Sequence, residues 1–282
     1  MSASPVRHAR SLLFVPATKP ERFAKALVSG ADCIIIDLED AVSPASKDSA
    51  CEQLAQHLPQ LSADQLARTL VRVNAVATPW HAADIALLRA WAGRGLTTML
   101  PKSEDPAALR AVAQALGEGA PIVALVESLA GLDAATELAR DPQVVRLAFG
   151  HLDFQLDLGM RATPEEPELA FARNALVAAS RRAGLPKPID GVTTDTGSAE
   201  RLALDAGRAR AFGFGGKLCI HPGQVAGVNE TLGYSAAEQE WARRVLEEAA
   251  RRGGEVFSLD GRMVDLPVIR AAEAIVATVV PR

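Results

Sequence analysis

Eight short apolar runs, each followed by a longer segment of helical periodicity, constrain this chain more than any other feature. The runs are Ser11–Pro16, Asp32–Leu38, Thr69–Val73, Thr98–Pro101, Pro121–Val126, Val145–Phe149, Pro188–Thr193 and Gly216–Ile220. They are too short for helices, rich in Val, Ile and Leu, and mostly lack polar alternation. Strands of a parallel sheet covered on both faces read this way. The segments between them, such as Pro20–Val28, Ala82–Arg94, Pro106–Leu116 and Leu169–Ala183, carry apolar residues every three or four positions, as helices packed on a sheet do. Thr18 ahead of Pro20 and Glu21 predicts a helix start, and Gly30 its stop. Eight strand–helix beats match a (β/α)8 TIM barrel, whereas a doubly wound sheet usually shows fewer.

The α/β barrel is expected over residues 1–232, with a C-terminal helical and hairpin extension over 233–282 in the same domain. In that extension Ser235-Ala-Ala-Glu238 is a capping box that opens a helix to about Arg252. Gly253-Gly254 breaks it, Glu255–Asp265 alternates like a hairpin with its turn at Asp260-Gly261, and a last helix runs from about Pro267 to Thr278. Eight barrel units do not need this segment, so it is expected to form a lid or to reach a neighbouring subunit.

Composition narrows the function classes. The 282 residues, 49% hydrophobic and 23% charged, suit a single globular barrel rather than a disordered or fibrous chain. A net charge of −4 without a basic stripe argues against nucleic acid or an anionic membrane as partner. No apolar run approaches the roughly 18 residues of a membrane span, and the polar start to Arg10 is unlike a signal peptide. Cys33, Cys51 and Cys219 lack metal-type spacing; Cys33 and Cys219 lie in apolar runs and read as reduced core residues. A cytoplasmic protein is the expectation.

In a barrel of this kind the active site lies at the carboxyl ends of the strands. There the chain places Asp37-Leu-Glu39-Asp40, Arg72-Val-Asn74, Pro101-Lys102, Glu127-Ser128, Asp153, Asp190 with Thr194, and His221-Pro222. The set holds several carboxylates, one Arg and one Lys, with no Ser–His nucleophile elbow. Hard oxygen donors suit Mg2+ or Mn2+ and leave coordination positions for substrate oxygens. An adjacent Arg offers a fork to a carboxylate or a developing oxyanion. Bland roles stand beside these: a strand-end carboxylate is often only a helix N-cap, Asp37 and Asp40 suit loop or barrel stability, Lys102 suits a structural ion pair, and His221 suits packing. Gly213-Phe-Gly215-Gly216 precedes a strand and lacks dinucleotide-binding spacing.

The residues in these places resemble a known family. Ser11-Leu-Leu-Phe14-Val-Pro16, Lys19-Pro-Glu-Arg22, Asp37-Leu-Glu-Asp-Ala-Val42 with Pro44 and Lys47, Val71-Arg-Val-Asn74, Met99-Leu-Pro-Lys102 with Glu104, Val126-Glu-Ser128 with Gly131, Ala148-Phe-Gly150 with Asp153, Pro188-Ile-Asp-Gly191 and Gly216-Lys-Leu-Cys-Ile-His-Pro222 follow in order along nearly the whole chain. They look like the citrate lyase β-subunit-like branch of the HpcH/HpaI aldolase and citrate lyase superfamily, which also includes malyl-CoA and citramalyl-CoA lyases. The resemblance implies a TIM barrel assembled as a homotrimer or hexamer. It implies Mg2+ on Glu127 and Asp153, Arg72 facing the substrate oxygen at the bond being cleaved, and Asp265 as an acid or base supplied from an adjacent subunit.

Under this resemblance Phe14, Lys19, Arg22, Glu39, Asp40 and Lys102, together with Arg72 and Glu127, are the candidate substrate contacts, with Lys19 and Arg22 placed for CoA phosphates. The implied activity is Mg2+-dependent cleavage of a 3-hydroxyacyl thioester of the citryl-, malyl- or citramalyl-CoA type to acetyl-CoA or a related thioester and a 2-oxo acid. A 2-oxo acid aldolase acting on free acids, a β subunit working only with an acyl carrier protein, and a binding subunit with little activity alone stay open. The chain departs from many relatives at Ala17-Thr18, at His151-Leu-Asp153 and at Gly191-Val-Thr193, all in loops on the substrate side.

Overall fold

A computed structural model describes residues 4–253 and 255–277. Eight parallel strands, β1 (Ser11–Pro16), β2 (Cys33–Asp37), β3 (Thr69–Arg72), β4 (Thr97–Leu100), β5 (Ile122–Val126), β6 (Val144–Phe149), β7 (Ile189–Asp190) and β8 (Gly216–Cys219), pair in sequence order. The register Ser11↔Lys217 to Leu13↔Cys219 closes β8 onto β1. The fold is thus a (β/α)8 TIM barrel.

Both strand faces are buried, which explains the apolar runs. One set of strand side chains, with Leu12, Cys33, Ile35, Leu70, Met99, Val123, Leu125, Ala148, Ile189 and Leu218, fills the barrel interior together with Val6 and Ala9. The alternate set, including Ile34, Ile36, Val71, Leu100, Ala124, Val126 and Leu147, meets the surrounding helices. Each such branched side chain stabilises the fold by roughly 1.5–3 kcal/mol. Continuing the inward set one step along its strand brings Phe14, Asp37, Arg72 and Glu127 to the carboxyl rim.

Three local expectations change. β7 has two residues rather than the six of Pro188–Thr193. Beyond Asp190 side chains replace the ladder: the Lys217 ammonium donates to the Gly191 carbonyl at 2.7 Å, Gln224 donates to the Thr193 carbonyl at 2.8 Å, and Thr193 donates to Asp205 at 2.8 Å. Thr18 caps nothing, because the chain enters a 3-10 turn at Pro20–Arg22 with Lys19 in the cap position and no side-chain cap bond. A short helix, Phe23–Leu27, follows before Gly30 turns the chain at φ +87°. The helix expected over Ala82–Arg94 is His81–Arg89.

One compact unit ends at Leu232 and a second begins at Gly233. In the second, Ser235 Oγ accepts from the Glu238 amide while the Glu238 carboxylate accepts from the Ser235 amide, and the helix Ala236–Arg251 follows. Strands β9 (Phe257–Leu259) and β10 (Arg262–Val264) form an antiparallel hairpin whose turn residues Asp260 and Gly261 have φ of +51° and +76°. Arg244 pins that turn through two bonds to Asp260. Helix Leu266–Ala277 completes the unit around Ala242, Val245, Phe257, Val264 and Ala272. Thr278, the expected helix end, lies outside the described residues.

Candidate active site

The rim divides into two linked halves. In the first, Asp37 ends β2 and Arg72 ends β3, opposite each other in register. The Asp37 carboxylate accepts from Arg72 Nε at 2.8 Å and from a terminal nitrogen at 2.6 Å, both partners being buried. The second terminal nitrogen of Arg72 reaches Asp40 at 3.2 Å and Glu39 at 3.1 Å, and the guanidinium stacks 4.9 Å from the Phe14 ring. Burial pulls this guanidinium down, but Asp37, Glu39 and Asp40 hold it above its ordinary pKa. Arg72 is therefore a permanent, fixed cation.

The second half is acidic. Glu127 follows β5 and is buried, and its Oε1 accepts from the Lys102 amide at 2.7 Å. Lys102 takes a left-handed backbone (φ +47°) to present that amide, a conformation an L-residue holds only under local constraint. Its ammonium lies 3.3 Å from Glu39, 3.5 Å from Asp153 and 3.7 Å from Glu127. Asp153 sits in the first turn of the helix His151–Asp157, after Gly150. That glycine is required by space, since a Cβ there would stand 2.5 Å from Glu127 Oε2.

The electrostatics follow from this crowding. Burial, with Glu39 nearby, pushes the Glu127 carboxyl up to about 8. Burial likewise pushes Glu39 to about 7 despite the opposing pull of Arg72. Glu39 Oε2 is buried without a hydrogen-bond partner; its 3.1 Å approach to Arg72 is an ion-pair proximity rather than an aligned bond. Burial lowers Lys102, but the three carboxylates raise it well above the usual lysine value. Five carboxylates thus face two cations across these ion pairs.

Such a cluster fits a hard divalent ion. Glu127 and Asp153 are oxygen donors already converging on one cationic nitrogen. No group of three or more His, Cys, Asp or Glu side chains arranged to hold a metal occurs among the described residues. A pair of carboxylates leaves the other positions to substrate and water.

Of the residues read from sequence, Phe14, Glu39, Asp40, Arg72, Lys102, Glu127 and Asp153 fall in this network. Lys19 and Arg22 stand exposed on the turn after β1, and no side-chain bond is formed by either among the described residues. Asp265 belongs to the second unit, where its carboxylate accepts from the Val268 amide at 3.3 Å at the start of the last helix. The helix caps beside the two proposed ligands are Ser128 and Gly150, so neither Glu127 nor Asp153 takes the N-cap position. His221 does, accepting from the Gly223 amide. Asp190 faces outward, bonded to buried Arg173 at 3.2 Å.

Sequence reasoning missed several supporting groups. Asp84 accepts from both the Asn74 amide and the Asn74 side chain, and His81 Nδ1 lies 2.7 Å from the Asn74 carbonyl. His151 is buried against Gly191, with its Nε2 3.8 Å from Glu166; burial lowers its pKa and keeps it neutral. Only the unusual His in the His151-Leu-Asp153 segment signalled it.

A closed eight-stranded parallel barrel with an arginine and an excess of carboxylates at its carboxyl rim defines the class of TIM-barrel enzymes. More specifically, the chain belongs to the HpcH/HpaI aldolase/citrate lyase family, whose pattern matches residues 10–222, and it is a lyase. It is 36% identical to the citrate lyase subunit beta-like protein of Deinococcus radiodurans, over 95% of this chain and 96% of that one. It is 33% identical to a (3S)-malyl-CoA thioesterase of Cereibacter sphaeroides, over 94% and 93% of the two chains. The CitE protein of Mycobacterium tuberculosis, in complex with magnesium, acetoacetate and coenzyme A, superposes with a TM-score of 0.81 at 33% identity, covering 96% of this chain and 98% of its own. No helix among the described residues is long and apolar enough to cross a membrane.

Proposed function

We propose that this chain is a Mg2+-dependent carbon–carbon lyase that cleaves a 3-hydroxyacyl thioester into a 2-oxo acid and a shorter acyl thioester. The supporting observation is the convergence of Glu127, Asp153 and Glu39 on one cation beside the fixed Arg72. The Mycobacterium relative bound to magnesium, an oxo acid and coenzyme A supports the same ligand classes here. Glu127 and Asp153 would hold the Mg2+, which when bound supplies Lewis-acid polarisation of the substrate's hydroxyl and carboxylate oxygens.

The protein's own groups supply the rest. Arg72, locked by Asp37, presents a guanidinium to the substrate hydroxyl oxygen, which becomes negative as its proton leaves to solvent; a preoriented donor stabilises this alkoxide without reorganising. As the carbon–carbon bond opens, that oxygen becomes the carbonyl of the 2-oxo acid and the charge passes to the acyl fragment. Asp265, contributed by a neighbouring copy in a trimer or hexamer, exchanges a proton with the carbon left on the acyl fragment. Phe14 and Asp40 flank Arg72, while Lys102 faces the substrate carboxylate. The exposed Lys19 and Arg22 suit the phosphates of CoA.

The test is a product assay on the purified chain with malyl-CoA, citramalyl-CoA and citryl-CoA offered separately, with and without EDTA. Metal-dependent appearance of a 2-oxo acid with acetyl-CoA is the expected result. The Cereibacter relative favours a second reading, thioester hydrolysis, which the same assay detects as free CoA and the intact hydroxy acid. No turnover by folded, Mg2+-loaded protein would move the reading to a free-acid aldolase or a carrier-protein complex.

A further inference from the structure

Lys47 is a buried cation that the proposed chemistry does not use. It opens the helix Lys47–His57 after the 3-10 turn Pro44–Ser46, and it is 7% exposed. Its ammonium donates to the carbonyls of Leu38 and Glu39, both at 2.7 Å, and lies 5.4 Å from the Trp80 ring centroid. No carboxylate among the described residues lies within ion-pair distance of it. A buried ammonium spent on two carbonyls and an aromatic face is costly to desolvate, and burial lowers its pKa.

Those two carbonyls belong to the turn that carries Glu39. The peptide joining Leu38 to Glu39 has its carbonyl bonded by Lys47 and its N–H bonded by Asp37 Oδ1 at 2.9 Å. Asp37 also accepts from the Ala41 amide at 3.1 Å. One peptide plane is thus gripped at both ends, so its rotation, and with it the direction of the Glu39 side chain, is set. Among the described residues Glu39 is the one carboxylate that reaches both Arg72 and Lys102, and so joins the two halves of the rim. An aspartate holding only the N–H side leaves the plane free to tilt about that bond; the second grip removes this freedom.

We propose that Lys47 is a positioning residue for the lyase reaction, acting through the Leu38–Glu39 peptide to hold Glu39 between Arg72 and Lys102. This rests on the functional reading above. Glu39 is not one of the two proposed Mg2+ ligands, which stand on other strands and loops, so its displacement is expected to act on the Arg72 side and to leave Mg2+ affinity nearly unchanged. Acting through another residue predicts non-additivity.

The experiment is a double-mutant cycle of K47M with E39A, read as kcat for the thioester that the wild type cleaves, with Mg2+ affinity measured calorimetrically on each variant. K47M is expected to lower kcat about 30-fold, to leave the Mg2+ dissociation constant within about two-fold, and to add no further loss in the E39A background. A K47M kcat equal to wild type, losses that multiply, or a parallel loss of Mg2+ affinity would each overturn the proposal. If K47M does not fold, K47R takes its place: a loss absent in E39A sustains the proposal, and no loss or an additive loss overturns it. Hydrogen exchange gives an arm free of turnover: K47M or K47R should speed exchange across residues 38–42 and leave 122–128 unchanged. Wild type that cleaves no thioester defeats the functional reading, and the exchange arm then decides the clamp: unchanged exchange at 38–42 overturns it.

Discussion

At the amino ends of the strands the barrel interior closes on Arg146, fully buried, whose guanidinium donates to the carbonyls of Val6, Ala9 and Lys187 at 2.6 to 3.0 Å. At the carboxyl ends, five carboxylates share Arg72 and Lys102. Desolvation pulls Arg146 down to about 10, yet three carbonyls take up the Nε and one terminal nitrogen, and no excess charge gathers there. The other end retains negative charge that its own cations do not balance, with Glu39 and Glu127 holding protons toward neutral pH. Buried charge by itself is therefore no mark of a functional site. The mark is an imbalance that a ligand would correct.

The comparison breaks first at the acidic end. E127Q or D153N should lower Mg2+-dependent cleavage by on the order of 10³-fold, several kcal/mol of barrier, while the urea unfolding midpoint in EDTA does not fall. Full activity in either variant, measured as 2-oxo acid released, would remove the metal assignment. At the other end R146M should act in the opposite sense. It leaves three carbonyls, two of them buried, without their donor and should cost about 3 kcal/mol of stability, with Mg2+ affinity unchanged. A stable R146M would mean that water or a shifted chain satisfies those carbonyls.

The pH dependence of stability sharpens the contrast. In Mg2+-free buffer Glu39 and Glu127 titrate near 7 and 8 in the folded chain against an ordinary 4.5. The folded state then binds more protons than the unfolded one between those values, so their stabilisation is complete below about pH 4.5 and lost as pH rises through 7 to 8. Unfolding midpoints measured from pH 5 to 9 should show a shallower decline in E127Q than in wild type; equal slopes would count against a buried, protonated Glu127. The smallest expected effect lies outside both ends. S235A removes one half of a capping box and should cost about 1 kcal/mol, leaving Mg2+ affinity untouched; a change in that affinity would tie the second unit to the metal.

The barrel was legible because strands buried on both faces cannot alternate, so the runs from Ser11 to Ile220 stand out from their helices. β7 was overdrawn because Val192 and Thr193 are β-branched like strand residues, whereas the segment is held by Lys217 on the Gly191 carbonyl and by Gln224 and Asp205 on Thr193 rather than by a ladder. The rim residues were legible as polar groups following apolar runs. Which of them face inward was not: Asp190 follows the same rule as Asp37, yet one-residue parity turns it out to Arg173. Lys47 entered only as a residue of the family's pattern, and its role, like that of Asp84, was beyond reach for another reason. Lys47 works on the backbone carbonyls of Leu38 and Glu39, and Asp84 on the Asn74 amide as well as its side chain, and a main-chain partner leaves no trace in side-chain pattern.

The closure of β1 on β8, and the hold of Arg146 on Val6 and Ala9, also order events during biosynthesis. The first strand and the floor carbonyls leave the ribosome early, but Arg146 follows some 140 positions later and Cys219 later still. Until then β1 is an open edge and the floor lacks its donor. A nascent chain halted before β8 cannot close the barrel, so the commitment to fold falls late in translation.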